Sequence, residues 1–535
     1  MISNVNTAVC EGISGVPILV ETDISNGLPQ INIVGLASTV VMESRERIKS
    51  AILNSGYDYP RRRVTVNLIP AGMRKNGTHL DLPIAMGILG AMGYVKPEIL
   101  AIIGFIGELT LQGSVYQTEG VLPMVICMAR KGIRKVVVPE ENVLEAQLAN
   151  NVEIIGVRSL QESMDVARGF SPQKEHPKKE LNRTLDEVCI LNRTEANEIT
   201  EKSRLTSSRK TAETNNESNQ LDFADIRGQE NAKRGLLIAA TGHHGILLMG
   251  NPGCGKTMLS KRIPTILPPM TPEQVVDTTV IYSVSGKLKG MNGRIMEAPF
   301  RMPHHTIGRA GLLGGGNYPI PGEITLAHNG VLFLDEFCEF DRTTIEALRI
   351  PMEEGIITHF RHGTAYAFPC DFRLVMAANP CPCGFLGDPD KPCKCSPRQI
   401  DNYRRKLSGP LLDRTDILIH MERVQYAELN RESEERWTSS SMRRCLQDAH
   451  AFAIAHGRQP YNGKISDKEV QNLQINADAE AFLKQAYESL HLSPRTYIKV
   501  KKVSRTIADL AQSEVIQIEH VSEAISYRTS LGDNA

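Results

Sequence analysis

GNPGCGKTML, residues 250–259, decides how the rest of this chain is read. The apolar run GILLM leads into it and a helix start follows, the two flanks that a phosphate loop requires. Glycines at such a turn let backbone N–H groups curl around phosphates. Gly250, Asn251, Pro252, Gly253, Cys254, Gly255, Lys256 and Thr257 are therefore the expected ATP-binding residues. Lys256 is expected to reach the β- and γ-phosphates, and the Thr257 hydroxyl to ligate magnesium. The competing reading, a chance glycine turn, fits the flanks poorly.

Further along, Val331–Leu–Phe–Leu–Asp335–Glu336 is an apolar strand ending in two carboxylates. Asp335 at a strand end suits a magnesium ion held through water, and Glu336 suits orienting and polarising the attacking water. The alternative is an acidic pair that caps the next helix. The strand pattern from Phe372 ends at Asn379, which is placed to touch the γ-phosphate or its water, or else only turns the chain before Pro380. Two arginines matter. Arg414 lies in GPLLDRTD just before a strand pattern. Arg495 follows Ser493, which reads as an N-cap, and Pro494, which reads as a first helical residue. Fixed positive charge beside a transferring phosphoryl group lowers its barrier, and a second subunit can supply it. An isolated arginine ordinarily lies on a solvated surface or in an ion pair; the order of motifs singles out these two.

The bulk numbers bound this reading. At 535 residues the chain is too long for one ordinary core. Lysine and arginine total 61, as do aspartate and glutamate, so any nucleic-acid binding must come from local patches. No apolar run is long enough to span a membrane, and the amino terminus lacks the pattern of a signal peptide. Eleven cysteines, an odd number, fit reduced thiols in the cytoplasm better than a disulfide framework.

The fold expected is multidomain α/β. Residues 1–170 alternate short strands such as INIVG, RVTVNLIP and KVVVP with helices such as VVMESRERIKSAIL, an α+β domain. Residues 171–220 are poor in apolar side chains and read as a flexible polar linker. Residues 221–425 carry strands separated by helices, the pattern of a wound α/β sheet. Residues 426–535 read as consecutive helices forming a lid.

Within the core, Cys381, Cys383, Cys393 and Cys395 bracket one turn-rich loop, 381–395. Four thiolates are soft donors suited to tetrahedral zinc, although the spacing is tighter than usual; reduced thiols or a redox pair are the alternatives. His304 and His305 have no third ligand nearby in sequence and read as hydrogen-bonding residues of a glycine-rich insert.

The motifs GNPGCGKTML, PFRMPHHT, GGGNYPIPGEITLAHNGVLFLDEF, ALRIPMEEG, AANPCPCG, SGPLLDRTDI and SRTIADL, taken in order, resemble the helix-2-insert AAA+ ATPases. They are most similar to the magnesium-chelatase-like family known as YifB or ComM. The resemblance implies a homo-hexameric ring with ATP and Mg2+ between subunits. It makes residues 250–257 Walker A, Asp335 with Glu336 Walker B, Asn379 sensor 1, Arg495 sensor 2, and Arg414 the finger entering the neighbour's site. Pro494 and Thr496 flank Arg495 where the family more often has alanine.

The first domain resembles the proteolytic domain of Lon, which has the ribosomal S5 domain 2-like fold, through residues 69–89 and 106–142. Lon's serine nucleophile falls on His79, and Thr78 is one residue off. The expectation is a scaffold or nucleic-acid contact without peptidase activity.

Two inserts, Ser285 to Gly316 and a hairpin from Ile357 to Phe372, carry basic and aromatic residues suited to phosphates and bases, or to a polypeptide. The function that the family resemblance implies is a DNA helicase or translocase, with branch migration in recombination during DNA uptake and recombination proteins as partners. A protein-remodelling ring and a magnesium-chelatase motor subunit are the alternatives.

Overall fold

The computed structural model describes residues 2–170, 221–289, 291, 293–388, 390–407, 415–424 and 435–529. The expected linker therefore lies outside the described residues. The chain forms two compact units, one almost entirely from residues before 171, the other from residues after 220.

The first unit is built on a seven-stranded mixed sheet. Its order is Gln30–Val34, Arg63–Ile69, Ser14–Ser25, Ile2–Glu11, Ile103–Phe105, Lys135–Pro139 and Glu153–Val157. The amino-terminal stretch, expected only to lack a leader pattern, is a strand in the middle of that sheet. The helix Thr39–Asn54 starts where the Ser38 hydroxyl accepts the Val41 N–H, and buries Val41, Ser44, Ile48, Ala51 and Ile52 on one stripe. In the helix Asp81–Ala91 every residue is buried, as a helix apolar on all sides requires.

The second unit holds a five-stranded parallel sheet. Its order is Phe300–Arg301, Val331–Leu334, Arg373–Ala378, Ile246–Gly250 and Ile417–Met421. The central strands are near-continuous apolar runs, as expected when helices cover both faces. Helices Ser439–Ala455, Ala477–Ser489, Pro494–Leu510 and Ile518–Thr529 follow. They do not form a core of their own. Val500, Val503, Ile507 and Ile525 share one apolar cluster with Leu248, Phe333 and Val375 of the sheet. Strands Ile356–Arg361 and Thr364–Pro369 pair antiparallel into a hairpin. His362 and Gly363 turn it, both at positive φ (49° and 79°), the requirement of a tight two-residue turn. No helix among the described residues is long and apolar enough to cross a membrane.

Candidate nucleotide site and cysteine cluster

The phosphate-loop strand Ile246–Gly250 lies between Arg373–Ala378 and Ile417–Met421. Its loop therefore emerges between the end of the Asn379 strand and Met421. Gly250 admits close backbone approach: a Cβ there would lie 2.4 Å from the Met421 carbonyl oxygen. Gly253 and Gly255 hold φ of 84° and 96°, conformations that disfavour any side chain. The helix Lys256–Ser260 begins directly after them.

The Lys256 ammonium is drawn into the loop. It donates to the carbonyl oxygens of Gly250 and, at 3.1 Å, Asn251, and to Asn379 Oδ1 at 3.1 Å. Burial pushes its pKa below the ordinary lysine value, although Cys254, Asp335 and Glu336 oppose the shift. The Thr257 hydroxyl donates to Asp335 Oδ2 at 2.7 Å, and the Glu336 N–H donates to Asp335 Oδ1 at 2.9 Å. Two hard oxygen donors, hydroxyl and carboxylate, are thus in contact, which suits magnesium. Glu336 sits at φ 50°, a strained conformation for a non-glycine residue, with its side chain 55% exposed. The structure brings together Lys256, Thr257, Asp335 and Asn379, with Glu336 adjacent. Arg495 occupies the first turn of helix Pro494–Leu510, with Ser493 as N-cap. It is exposed and has no ion-pair partner among the described residues. Arg414 lies outside the described residues.

Several neighbours escaped the sequence reading. His305 is not confined to its own insert: Nδ1 lies 3.3 Å from Glu336 Oε2. His304 does bond locally, to Thr306 at 2.9 Å. Lys287 and Arg301, counted among the basic residues of the insert, both pair with Glu323. Asp416, two residues beyond Arg414, meets Lys499 at 2.7 Å and His244 at 3.0 Å. Burial alone would raise the Asp416 carboxyl, but Lys499 and His244 hold it well below the usual carboxylate range. This cluster ties the Arg495 helix to the strand that follows Arg414. No local motif marks it, because its members lie far apart in sequence.

Cys381, Cys383, Cys393 and Cys395 converge, with all four sulfurs within 4.8 Å of one another. The Cys383 thiol is pulled down to about 6, chiefly by the backbone N–H groups of Phe385 and Lys394. A soft four-sulfur donor set of this kind fits zinc.

In the first unit, His79, where the expected likeness to Lon would put the serine, is buried. The Thr78 hydroxyl donates to Glu108, and Asp81 pairs with Arg47 at 2.7 Å.

Known proteins resemble this chain along almost its whole length. Residues 222–429 match the family described as magnesium chelatase, subunit ChlI. Residues 20–142 match subunit ChlI of Mg-chelatase, and residues 436–528 its C-terminal part. The competence protein ComM of Haemophilus influenzae is 36% identical over 520 residues, covering 97% of this chain and 95% of that protein. YifB of Salmonella typhimurium, which carries no functional description, is 35% identical over 526 residues, 98% of this chain and 96% of its own. The magnesium-chelatase 67 kDa subunit of Chlorobaculum parvum is 28% identical over 162 residues, 30% of this chain and 23% of its own. The chain therefore belongs to the YifB/ComM family of magnesium-chelatase-like AAA+ proteins.

Proposed function

We propose that this protein is an ATP-driven motor acting on DNA, a cytoplasmic homo-hexamer whose adjoining protomers share each nucleotide site. The observation that carries the reading is the meeting of Lys256, Thr257, Asp335 and Asn379 at neighbouring strand ends. Lys256 would exchange its carbonyl partners for β- and γ-phosphate oxygens. Glu336 would orient the attacking water, and Asn379 would hold the γ-phosphate from the next strand. Magnesium, held by Thr257 and Asp335, would neutralise phosphate charge. Arg495, and Arg414 from the next protomer, would stabilise charge developing in the transition state. In this reading the first unit is a Lon-like scaffold lacking a nucleophile, and residues 285–316 belong to a helix-2 insert.

DNA as the polymer is supported by the near full-length likeness to a competence protein. It is also supported by the hairpin tip, where Phe360 is 71% exposed beside exposed Arg361 and His362. An aromatic face with an adjacent arginine suits bases and phosphates. The finer expectation is branch migration in recombination during DNA uptake. The family descriptions favour a second reading, a chelatase motor subunit, but the matched chelatase subunit covers only 30% of this chain.

The test is the rate of ATP hydrolysis with branched DNA, single-stranded DNA, unfolded protein or a tetrapyrrole added. Stimulation by DNA that falls steeply with salt is the expected result. Stimulation by unfolded protein alone, or by tetrapyrrole alone, would replace the DNA reading. Arg414→Ala should keep nucleotide binding and lose about 10³-fold or more in turnover. Mixing it with Lys256→Ala protein should restore part of the rate; an unimpaired Arg414→Ala protein rules out a shared site.

A further inference from the structure

The cysteine cluster is built against the phosphate loop. Gly384 follows Cys383 directly, and a Cβ there would lie 2.6 Å from the Pro252 ring. Asn251 Nδ2 donates to Asp388 Oδ2 at 2.6 Å. Asp388 is itself fixed, because its Oδ1 accepts the N–H groups of Asp390 and Lys391 at 2.8 and 2.9 Å. On the other side, Cys381 lies two residues beyond Asn379, which accepts from Lys256. Asn251, Pro252 and Lys256 are thus each in contact with this loop or with the strand end that leads into it.

The sulfur geometry is that of a ligand set. Cys381 lies 3.4 Å from Cys383 and 3.6 Å from Cys393, and Cys383 lies 3.6 Å from Cys393. Zinc at about 2.3 Å from each sulfur of a tetrahedron sets these separations at about 3.8 Å. A disulfide would need about 2.05 Å. Two backbone N–H groups already aim at sulfur, Cys383 at Cys395 Sγ and Cys395 at Cys393 Sγ, both at 3.4 Å. Such donors stabilise metal-bound thiolates. The span between the cysteine pairs, GFLGDPDKP, is glycine- and proline-rich and carries only Phe385 and Leu386 as large apolar residues. Apolar packing contributes little to holding it, so cross-linking by a metal is the main restraint available.

We propose that the four cysteines bind one zinc ion whose presence fixes the Gly384 and Asp388 contacts to the phosphate loop, so that metal occupancy sets nucleotide affinity. This rests on the reading of residues 250–257 as the ATP grip. Linkage makes the coupling reciprocal: bound nucleotide slows metal loss by the factor by which metal tightens nucleotide.

The experiment uses the full-length protein. Elemental analysis counts zinc per chain, a chromophoric chelator reads zinc release with and without ATP, and a fluorescent ATP analogue reads affinity. Wild-type protein should carry one zinc per chain. Stripped protein and Cys393→Ser should bind the analogue about fivefold to tenfold more weakly. Asp388→Ala should keep its zinc yet show most of that weakening, which covers the case in which Cys393→Ser fails to fold. ATP should slow zinc release by a similar factor. Absence of stoichiometric zinc overturns the metal site. Zinc whose removal leaves affinity and release unchanged overturns the coupling. Zinc-loaded wild-type protein that binds no analogue overturns the nucleotide reading and this proposal with it, and the zinc count tells that failure from the others.

Discussion

Two places in this chain use the same side-chain types: a lysine, a threonine, a carboxylate and a helix start. In the first unit they are Lys75, Thr78 and Asp81; in the second, Lys256, Thr257 and Asp335. Lys75 is fully buried and donates to the Gly35 and Pro70 carbonyls. Thr78 is bonded to Glu108, and Asp81 is closed off by Arg47 and the Leu109 N–H. Around Lys256 the partners are of another kind. Asn379 and Asp335 are groups able to engage a phosphate or its metal, and Glu336 beside them is half exposed. A catalytic site is distinguished by convergence on accessible space, and a structural one by closure of each group on its own neighbour.

The sharpest way to break this comparison is Glu336→Gln. On the proposed function, the second site should lose about 10²- to 10⁴-fold in turnover while still binding ATP, because only the positioning of water would be removed. Rapid hydrolysis by Glu336→Gln would assign that role to another group. The counterpart in the first unit is Arg47→Met. It leaves Asp81, 1% exposed, without its cation and should lower stability by about 3 to 5 kcal/mol. Hydrogen exchange in the helix Asp81–Ala91 reads this directly; protection equal to wild type would show that Asp81 needs no partner.

The turn geometry at residues 250–257 was legible because that loop encodes it locally. Gly253 and Gly255 take the positive φ that only glycine adopts readily, and apolar runs announce the strands on either side. Local sequence does not encode which distant groups the fold brings together. The approach of His305 to Glu336 depends on the end of the edge strand Phe300–Arg301 pairing with Val331–Leu334. The Asp416–Lys499–His244 cluster depends on a helix docking against a strand. Likewise nothing local in loop 381–395 marks Asp388 as the partner of Asn251. The amino-terminal strand carries a weaker local signal because its alternation is imperfect: Thr7, Ala8 and Val9 are consecutively buried.

The next test concerns pH in the first unit. Burial holds His79 neutral, with its pKa lowered to about 4. The unfolded chain therefore binds its proton first, and stability from this group falls by about 3 kcal/mol as pH drops from about 6.5 to 4. Asp81 acts oppositely. Burial raises it to about 6 against the pull of Arg47, so the folded state takes up the proton first. Stability from Asp81 rises by a comparable amount as pH falls from about 6 to 4. The two contributions nearly cancel in wild-type protein. His79→Gln should unmask the Asp81 slope, making the helix Asp81–Ala91 more protected at pH 4.5 than at pH 6.5 after correction for intrinsic exchange. A flat profile in that variant would mean that Arg47 keeps Asp81 ionised.

Thr78 gives the smallest effect and the most direct check that the first site is closed. Its hydroxyl stands one residue from where the expected likeness to Lon would put a serine nucleophile, and it already donates to Glu108. A hydroxyl serving as nucleophile needs a base that accepts its proton and access to a carbonyl carbon. Glu108 meets the first condition. Against the second, Thr78 is half-buried, and the residues that follow it, His79 and the helix from Asp81 on, are buried. Thr78→Ala should therefore remove one hydrogen bond to a carboxylate, lowering local stability by about 1 to 2 kcal/mol. It should leave any trace of peptide cleavage by the purified protein unchanged. Cleavage that disappears with Thr78→Ala, and returns with Thr78→Ser, would place a working nucleophile where the packing argues for a structural bond.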